Sequence, residues 1–353
     1  MKRLTSYRYT VRILALLLLA VPSCVEKFEL DIPRSTQNYV VEAILLDDAR
    51  FQKVVLSKIN LDGKSEPFDD ARVVLQSDND DMEIALEPRG EGLYSPLVFV
   101  PLARGDKYRL VIDTDEETKI VSDWEEVPDA IALEGGSWES HTFEFVNDNG
   151  VTIKRNGINF KVNTGTFQSP NTFLRYDFET AHINEAPFRD PRCDCLNCYI
   201  ISGSDEFLNI TSATESEGKS IKDHLITFLP LDKRFSFRLT MLVRQTAITR
   251  NAFHFYQSID QQRNLNGSIF DPPPAIIKGN LYVEEKEHIN VYGLFEVGRL
   301  SEIPITIYKS NIKNEFLTYL DICYAGARIN NIESFCFSCY AEEGASPRPY
   351  YFE

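Results

Sequence analysis

Apolar and polar side chains alternate with a period of two in one stretch of this chain after another, and that pattern confines the fold to β structure. Tyr39, Val41, Ala43 and Leu45 share one side of such a segment. Met82, Ile84 and Leu86 alternate with Glu83 and Glu87, and Tyr108, Leu110 and Ile112 with Arg109 and Asp113. Further on, Leu174, Tyr176 and Phe178 alternate with Arg175, Asp177 and Glu179, and Phe237, Leu239, Met241 and Val243 with Arg238, Thr240 and Arg244. Successive side chains of a strand point to opposite faces. Each segment therefore predicts a half-buried strand with an apolar face against a core and a polar face opposite.

The connections between these strands are rich in turn formers, at Leu61-Asp62-Gly63, Ser77-Asp78-Asn79-Asp80-Asp81 and Arg104-Gly105-Asp106. Their spacing suits a β-sandwich of about 90 residues. At roughly 150 residues per domain, the 353-residue chain has room for about two cores. The expected class is mainly β: an N-terminal immunoglobulin-like β-sandwich over residues 37–128, then a second β-rich domain over 129–330 with one inserted α-helix. The boundary falls near Val127-Pro128, after the acidic stretch that contains Trp124. The second unit opens with a hairpin, Thr142 to Val146 and Val151 to Lys154 around Asn147-Asp148-Asn149-Gly150, because Asn and Gly accept the positive φ of tight turns. The helix is expected over about 249–264, capped by Thr249 and stopped by Asn266-Gly267. Ala252, Phe255, Tyr256 and Ile259 recur in it at helical spacing, a stripe that faces the core. Residues 331–353 form a Cys-containing tail, and no fixed-period repeat is present.

The first 23 residues read as an export signal. Lys2, Arg3, Arg8 and Arg12 precede the apolar run Ile13 to Val21. That run is far shorter than the roughly 20 residues a membrane-spanning helix needs. Val21-Pro22-Ser23-Cys24 resembles the lipobox of bacterial lipoproteins, with Cys24 as the residue that receives the lipid and residues 24–36 as a tether. Six cysteines remain: Cys193, Cys195, Cys198, Cys323, Cys336 and Cys339. An even number in an exported chain predicts disulfides, and six allow 15 pairings. Cys193 to Cys198 and Cys336 to Cys339 form two clusters that could meet in space. The alternative use of the same residues is a thiolate site for Zn or Cu(I).

Phe228-Leu229-Pro230-Leu231, Leu242-Val243-Arg244-Gln245, the helix with Phe253 and Tyr256, Asn266-Gly267-Ser268-Ile269-Phe270-Asp271-Pro272-Pro273-Pro274 and Gly279-Asn280-Leu281 make up a distinctive central block. With Tyr39-Val40-Val41-Glu42, the Gly92-Leu93-Tyr94 turn, Cys336-x-x-Cys339 and the ending Pro349-Tyr350-Tyr351-Phe352, it resembles the DUF4249 family of Bacteroidetes lipoproteins. The resemblance implies a lipid-anchored outer-membrane protein, often encoded beside TonB-dependent receptors, and carries over no catalytic residue. Which face of the membrane the protein occupies stays open. The proline run itself reads as a rigid corner, since each Pro fixes φ and lacks a ladder donor.

With 37 basic and 53 acidic side chains the net charge is −16, and no Lys/Arg cluster exists outside the extreme N-terminus. Nucleic acid is therefore excluded as a partner. The Gly-x-Ser-x-Gly, His-Glu-x-x-His, Walker A and Gly-x-Gly-x-x-Gly signatures are all absent from the sequence. His141, His182, His224, His254 and His288 are dispersed and read as structural, and Asp78, Asp80 and Asp81 as a solvated hairpin tip. The expected function is a non-enzymatic, lipid-anchored outer-membrane binding or accessory protein acting with a TonB-dependent transporter in nutrient uptake, without a cofactor. The alternatives are an envelope hydrolase of polysaccharide or peptide and a thiolate metal-binding lipoprotein.

Overall fold

A computed structural model of the chain describes residues 38–352 apart from 61–62, 80–81, 115–117, 147–149, 187, 189–196, 204–207, 215–218, 265–275, 285–288, 314–333 and 343. The export signal, the tether, Cys24, Cys193, Cys195, Cys323, His288, Asp80, Asp81, Asn266-Gly267 and the proline run lie outside the described residues. The fold is mainly β with a large sheet and one α-helix.

The first half supplies β1 (Asn38–Leu46), β2 (Gln52–Ile59), β3 (Ser65–Pro67), β4 (Ala71–Ser77), β5 (Glu83–Gly90), β6 (Leu93–Pro96), β7 (Lys107–Thr114), β8 (Lys119–Ser122) and β9 (Glu125–Glu126). Tyr39, Val41, Ala43 and Leu45 of β1 are buried with Val54 and Leu56 of β2, Val73 and Leu75 of β4, and Leu110 and Ile112 of β7. Each such side chain removed from water contributes about 1.5–3 kcal/mol, the small Ala43 less. The turn into β6 requires glycine at position 92. Its φ is +72°, and a Cβ there would lie 2.2 Å from the Leu56 carbonyl oxygen.

The second half supplies β10 (Leu133–Val146), β11 (Thr152–Thr164), β12 (Phe173–Glu185), β13 (Asn197–Gly203), β14 (Asn209–Ser212), β15 (His224–Pro230), β16 (Arg238–Ile248), helix α1 (Arg250–Arg263), β17 (Leu281–Val283), β18 (Asn290–Tyr308) and β19 (Ala345–Ser346). Thr249 caps α1 by accepting from the Ala252 N–H, and Asn264 ends it. The hairpin of β10 and β11 runs the full length of both strands, from Val146 opposite Thr152 to Leu133 opposite Thr164. Met82 and Phe237 are half-exposed rather than core-facing, because β5 begins at Glu83 and β16 at Arg238 and each residue precedes its strand.

One hydrogen-bonded path runs β17-β8-β7-β4-β5-β6-β2-β1-β18-β16-β12-β13-β19. At its centre β1 pairs with β18 in parallel, Asn38 opposite Asn290 through Leu46 opposite Gly298. The 19-residue β18 then continues antiparallel to β16, from Gly298 opposite Ile248 to Tyr308 opposite Arg238. Its odd-numbered side chains serve two cores. Phe295 and Val297 join the first cluster, and Ile303, Ile305 and Ile307 the second, where β10, β11 and β15 cover β12 and β16. Asn280, within the Gly279-Asn280-Leu281 motif, fastens this arrangement. Its buried amide donates to the Phe295 carbonyl and to Glu125, and accepts from the Phe295 N–H.

Candidate functional site

The faces of β12, β16 and β18 turned away from the cores carry charge where the alternation had placed a polar face. Register alone aligns it across the strands: Arg175 stands opposite Thr246, Asp177 opposite Arg244, and Arg244 opposite Glu302. Apolar clusters bracket this stripe. Phe173, Ile248, Ala252, Phe253 and Leu294 pack under α1 at one end, and Ala181, Leu242, Tyr351 and Phe352 under the C-terminal tail at the other. Between them lies a basin of about 570 Å³, floored by Ile44, Leu46, Lys53 and Leu300 along with Arg175, Asp177, Glu179, Arg244 and Thr246, and edged by Phe51.

Two linked networks hold the basin rigid. Arg175 Nη2 donates to Glu296 Oε1 at 2.8 Å and Nη1 to Asp177 Oδ2 at 3.2 Å, while the Tyr256 hydroxyl of α1 donates to Glu296 Oε2 at 2.7 Å. Glu296 is almost wholly buried, and the guanidinium of Arg175 lies 5.4 Å from the Tyr256 ring. Arg244 donates from Nε to Glu302 at 3.0 Å and reaches Asp177 and Glu179 at 3.5 Å. Arg50, just beyond β1, binds Asp48 and Glu302 and donates to the Tyr350 hydroxyl, and Tyr351 donates to Glu179 Oε1 at 2.5 Å.

Burial and charge pull these groups in opposite directions. Burial lifts the Asp177 carboxyl above the usual carboxylate range, although Arg175 and Arg244 pull it back. Burial works most strongly against the charge of Arg175, but Glu296, Tyr256 and Asp177 together outweigh it and leave the guanidinium more basic than an ordinary arginine. The Tyr256 phenol is raised by burial and further by Glu296, whereas the hydrogen bond from Arg50 holds Asp48 below its ordinary value. Arg175 Nε and Thr246 Oγ1, on two of the basin residues, are closed to solvent and have no hydrogen-bond partner, and a buried donor left unmade costs about 1–3 kcal/mol.

The tail that rims the basin is fastened by cysteine. Cys198 of β13 is disulfide-bonded to Cys339, with Cα atoms 5.6 Å apart, and Cys336 is also disulfide-bonded. Beyond Cys339, β19 adds to β13 and the chain returns to place Tyr350 and Tyr351 on Glu302 and Glu179. Among the described residues no three His, Cys, Asp or Glu side chains form a group that could hold a metal ion, and no helix is long and apolar enough to cross a membrane. His182 is buried with neither ring nitrogen partnered; His224 stacks on Tyr176 at 4.6 Å. The cysteines were visible as candidates in the sequence, but the basin was not. Its only trace was opposite charge repeated at every second position, in Arg175-x-Asp177-x-Glu179.

The lining offers fixed hydrogen-bond donors and acceptors, a surface suited to holding a polar ligand. No curated protein and no solved structure matches the chain. A family profile described as a domain of unknown function, DUF4249, matches residues 25–303 and so includes every residue that lines the basin. The chain belongs to the DUF4249 family.

Proposed function

We propose that this protein is a lipid-anchored binding protein of the Bacteroidetes outer membrane that presents a small ligand to a TonB-dependent transporter in nutrient uptake, without chemistry of its own. The observation that carries the binding role is the basin, whose guanidiniums and carboxylates are locked by one another before any ligand arrives. Preorganised polar groups lose little entropy on binding. Cys24 in its lipobox setting supports the anchor, and the family's usual genetic neighbourhood supports the transporter. The test is a mild-detergent pull-down of the tagged protein from native outer membranes, read by mass spectrometry for partners and N-terminal mass. The expected result is a lipidated Cys24 and a stoichiometric transporter. Lipid-free protein in the periplasm, or lipidated protein with no reproducible transporter, overturns the reading.

One observation favours a second reading, an envelope hydrolase. Burial raises the Asp177 carboxyl, and Glu179 follows it on the same face of the strand, so the basin holds a pair of carboxyls of the kind glycosidases use. Release of reducing ends from envelope polysaccharide, abolished by Asp177→Asn, would establish that activity.

A further inference from the structure

We infer that a second pocket, where the start of β16 meets the end of β18, binds a small organic anion: a carboxylate or phosphate head carried on an apolar body. The inference stands apart from the basin and adds a site that the binding role proposed above does not use.

Two strand ends build the pocket. Arg238 stands opposite Tyr308, and the Lys309 N–H donates to the Phe237 carbonyl at 2.9 Å, which ties the ends together. Around that tie lies a pocket of about 380 Å³ lined by Ile183, Phe237, Arg238, Tyr308 and Lys309 with two serines. Alternation puts Arg238 on the same face of β16 as Arg244. Leu242, packed with Tyr351 and Phe352 of the tail, stands between them and separates this pocket from the basin.

Arg238 is the anchor. Its guanidinium lies 3.8 Å from the centre of the Phe352 ring and 5.8 Å from that of Tyr308. Nε is sealed from solvent, whereas Nη1 and Nη2 stay accessible, and none of the three has a hydrogen-bond partner among the described residues. A guanidinium laid over an aromatic ring keeps its in-plane N–H edge free, and that edge matches two oxygens of one carboxylate or phosphate. Lys309 is exposed, has no acid partner among the described residues, and supplies a second cation to the same pocket.

Charge selects the head of the ligand. Arg175 and Arg244 in the basin are each met by carboxylates. Here a chain of net charge −16 sets two cations side by side in a lining that, among the described residues, holds no acid. An anion satisfies both cations, and a neutral ligand satisfies neither. The aromatics select the body. Phe237 and Tyr308, 46% and 49% exposed, leave ring surface beside the cations that an aryl or alkyl group covers and a bare inorganic anion does not. The volume falls within the ordinary range for small-molecule sites, about 300–1,000 Å³.

The test is equilibrium dialysis of the purified full chain in detergent, referenced to protein-free micelles, against 2-naphthoate, 2-naphthyl phosphate, neutral 2-naphthamide and inorganic phosphate. Both naphthyl anions should bind, and the amide and inorganic phosphate should each bind at least about tenfold more weakly. Arg238→Lys keeps the charge, loses the fork and should weaken naphthoate about tenfold. Lys309→Gln alters an exposed side chain with no partner to lose, so the melting temperature should hold while naphthoate weakens about threefold. Equal binding of naphthamide overturns the anionic head, equal binding of inorganic phosphate overturns the apolar body, and failure of both naphthyl anions to bind overturns the site. Full affinity in Arg238→Lys overturns the fork. Full affinity in Lys309→Gln, or an equal loss in Lys53→Gln of the basin, overturns the location. Each of these outcomes leaves the transporter pull-down, and with it the reading of the basin, untouched.

Discussion

At the scale of single residues, the alternation of the sequence sorted side chains into two faces and was silent on what covers each face. Arg175, Asp177 and Glu179 stand on the polar face of β12, yet α1 and the tail close over it and turn a nominal solvent face into a partly buried network. Glu296 shows why this could not be read locally. It is an acid set in the apolar stretch Leu294-Phe295-Glu296-Val297, and only the folded register brings Arg175 and Tyr256 to it. His182 is the converse case, a histidine on the core-facing side of β12 with Leu239 and Ile200 as its cross-strand neighbours. Burial, with Arg234 and Lys233 nearby and Asp232 and Glu342 opposing them, pushes its pKa down to about 4. In the unfolded chain the value is about 6.5. The unfolded state thus binds more protons between those values, and stability falls as pH drops from about 6.5 to about 4, by up to about 3 kcal/mol, and is unaffected by this group above pH 7. His182→Leu should remove that component. Urea midpoints of wild type and variant, measured from pH 7.5 to pH 4.5, should separate in the variant's favour as pH falls; parallel curves would rule out a buried neutral histidine.

Among the elements, those set by local chemistry were the most legible. Thr249, the aromatic spacing after it and the absence of proline define α1 within the segment that the sequence marks. Hairpin turn chemistry places β10 against β11, although the paired length exceeds the alternating stretch: Gly135 and Gly136 interrupt the pattern, and the ladder carries on past them to Leu133 through a register shift between Leu133 and Gly135. The tail was legible only as chemistry, two cysteines and an aromatic ending, since a disulfide partner 141 residues away leaves no local mark. Its role follows from the contacts: Cys198–Cys339 pins the tail to β13, and the pinned tail delivers Tyr350 and Tyr351 to the basin. A cross-link closing so long a loop restrains the unfolded chain, for about 2–5 kcal/mol. Cys198→Ser with Cys339→Ser should therefore lower stability by that amount, and limited proteolysis should release fragments ending within residues 334–352. An unchanged digestion pattern would show that apolar packing of Tyr351 and Phe352 holds the tail without the bond.

For the whole molecule, the governing fact is that β17 and β18 return from the far end of the sequence to complete the first core. Turn spacing and length speak to how many cores a chain can build, but strand order depends on pairings between residues some 250 positions apart, such as Asn38 with Asn290. Gly293 makes that parallel seam possible: its φ is +113°, and a Cβ there would stand 1.9 Å from the Val41 carbonyl oxygen. Because β18 contributes Phe295 and Val297 to one core and Ile303, Ile305 and Ile307 to the other, neither core can lose this strand while the other keeps its packing. The two tryptophans are placed to test this. Trp124 lies in the first half with Arg109 over its ring at 4.8 Å, and Trp138 packs against the second core. Single-tryptophan variants, Trp124→Phe and Trp138→Phe, each report one side of the seam by fluorescence during urea unfolding. A shared strand predicts coincident midpoints once each variant is referenced to its own circular-dichroism transition, the signature of one cooperative unit. Midpoints that separate, with Trp124 and Trp138 reporting different transitions, would mean that β18 can detach from one core and stay folded in the other. The basin, floored by both sides of the seam, would then open before the protein unfolds.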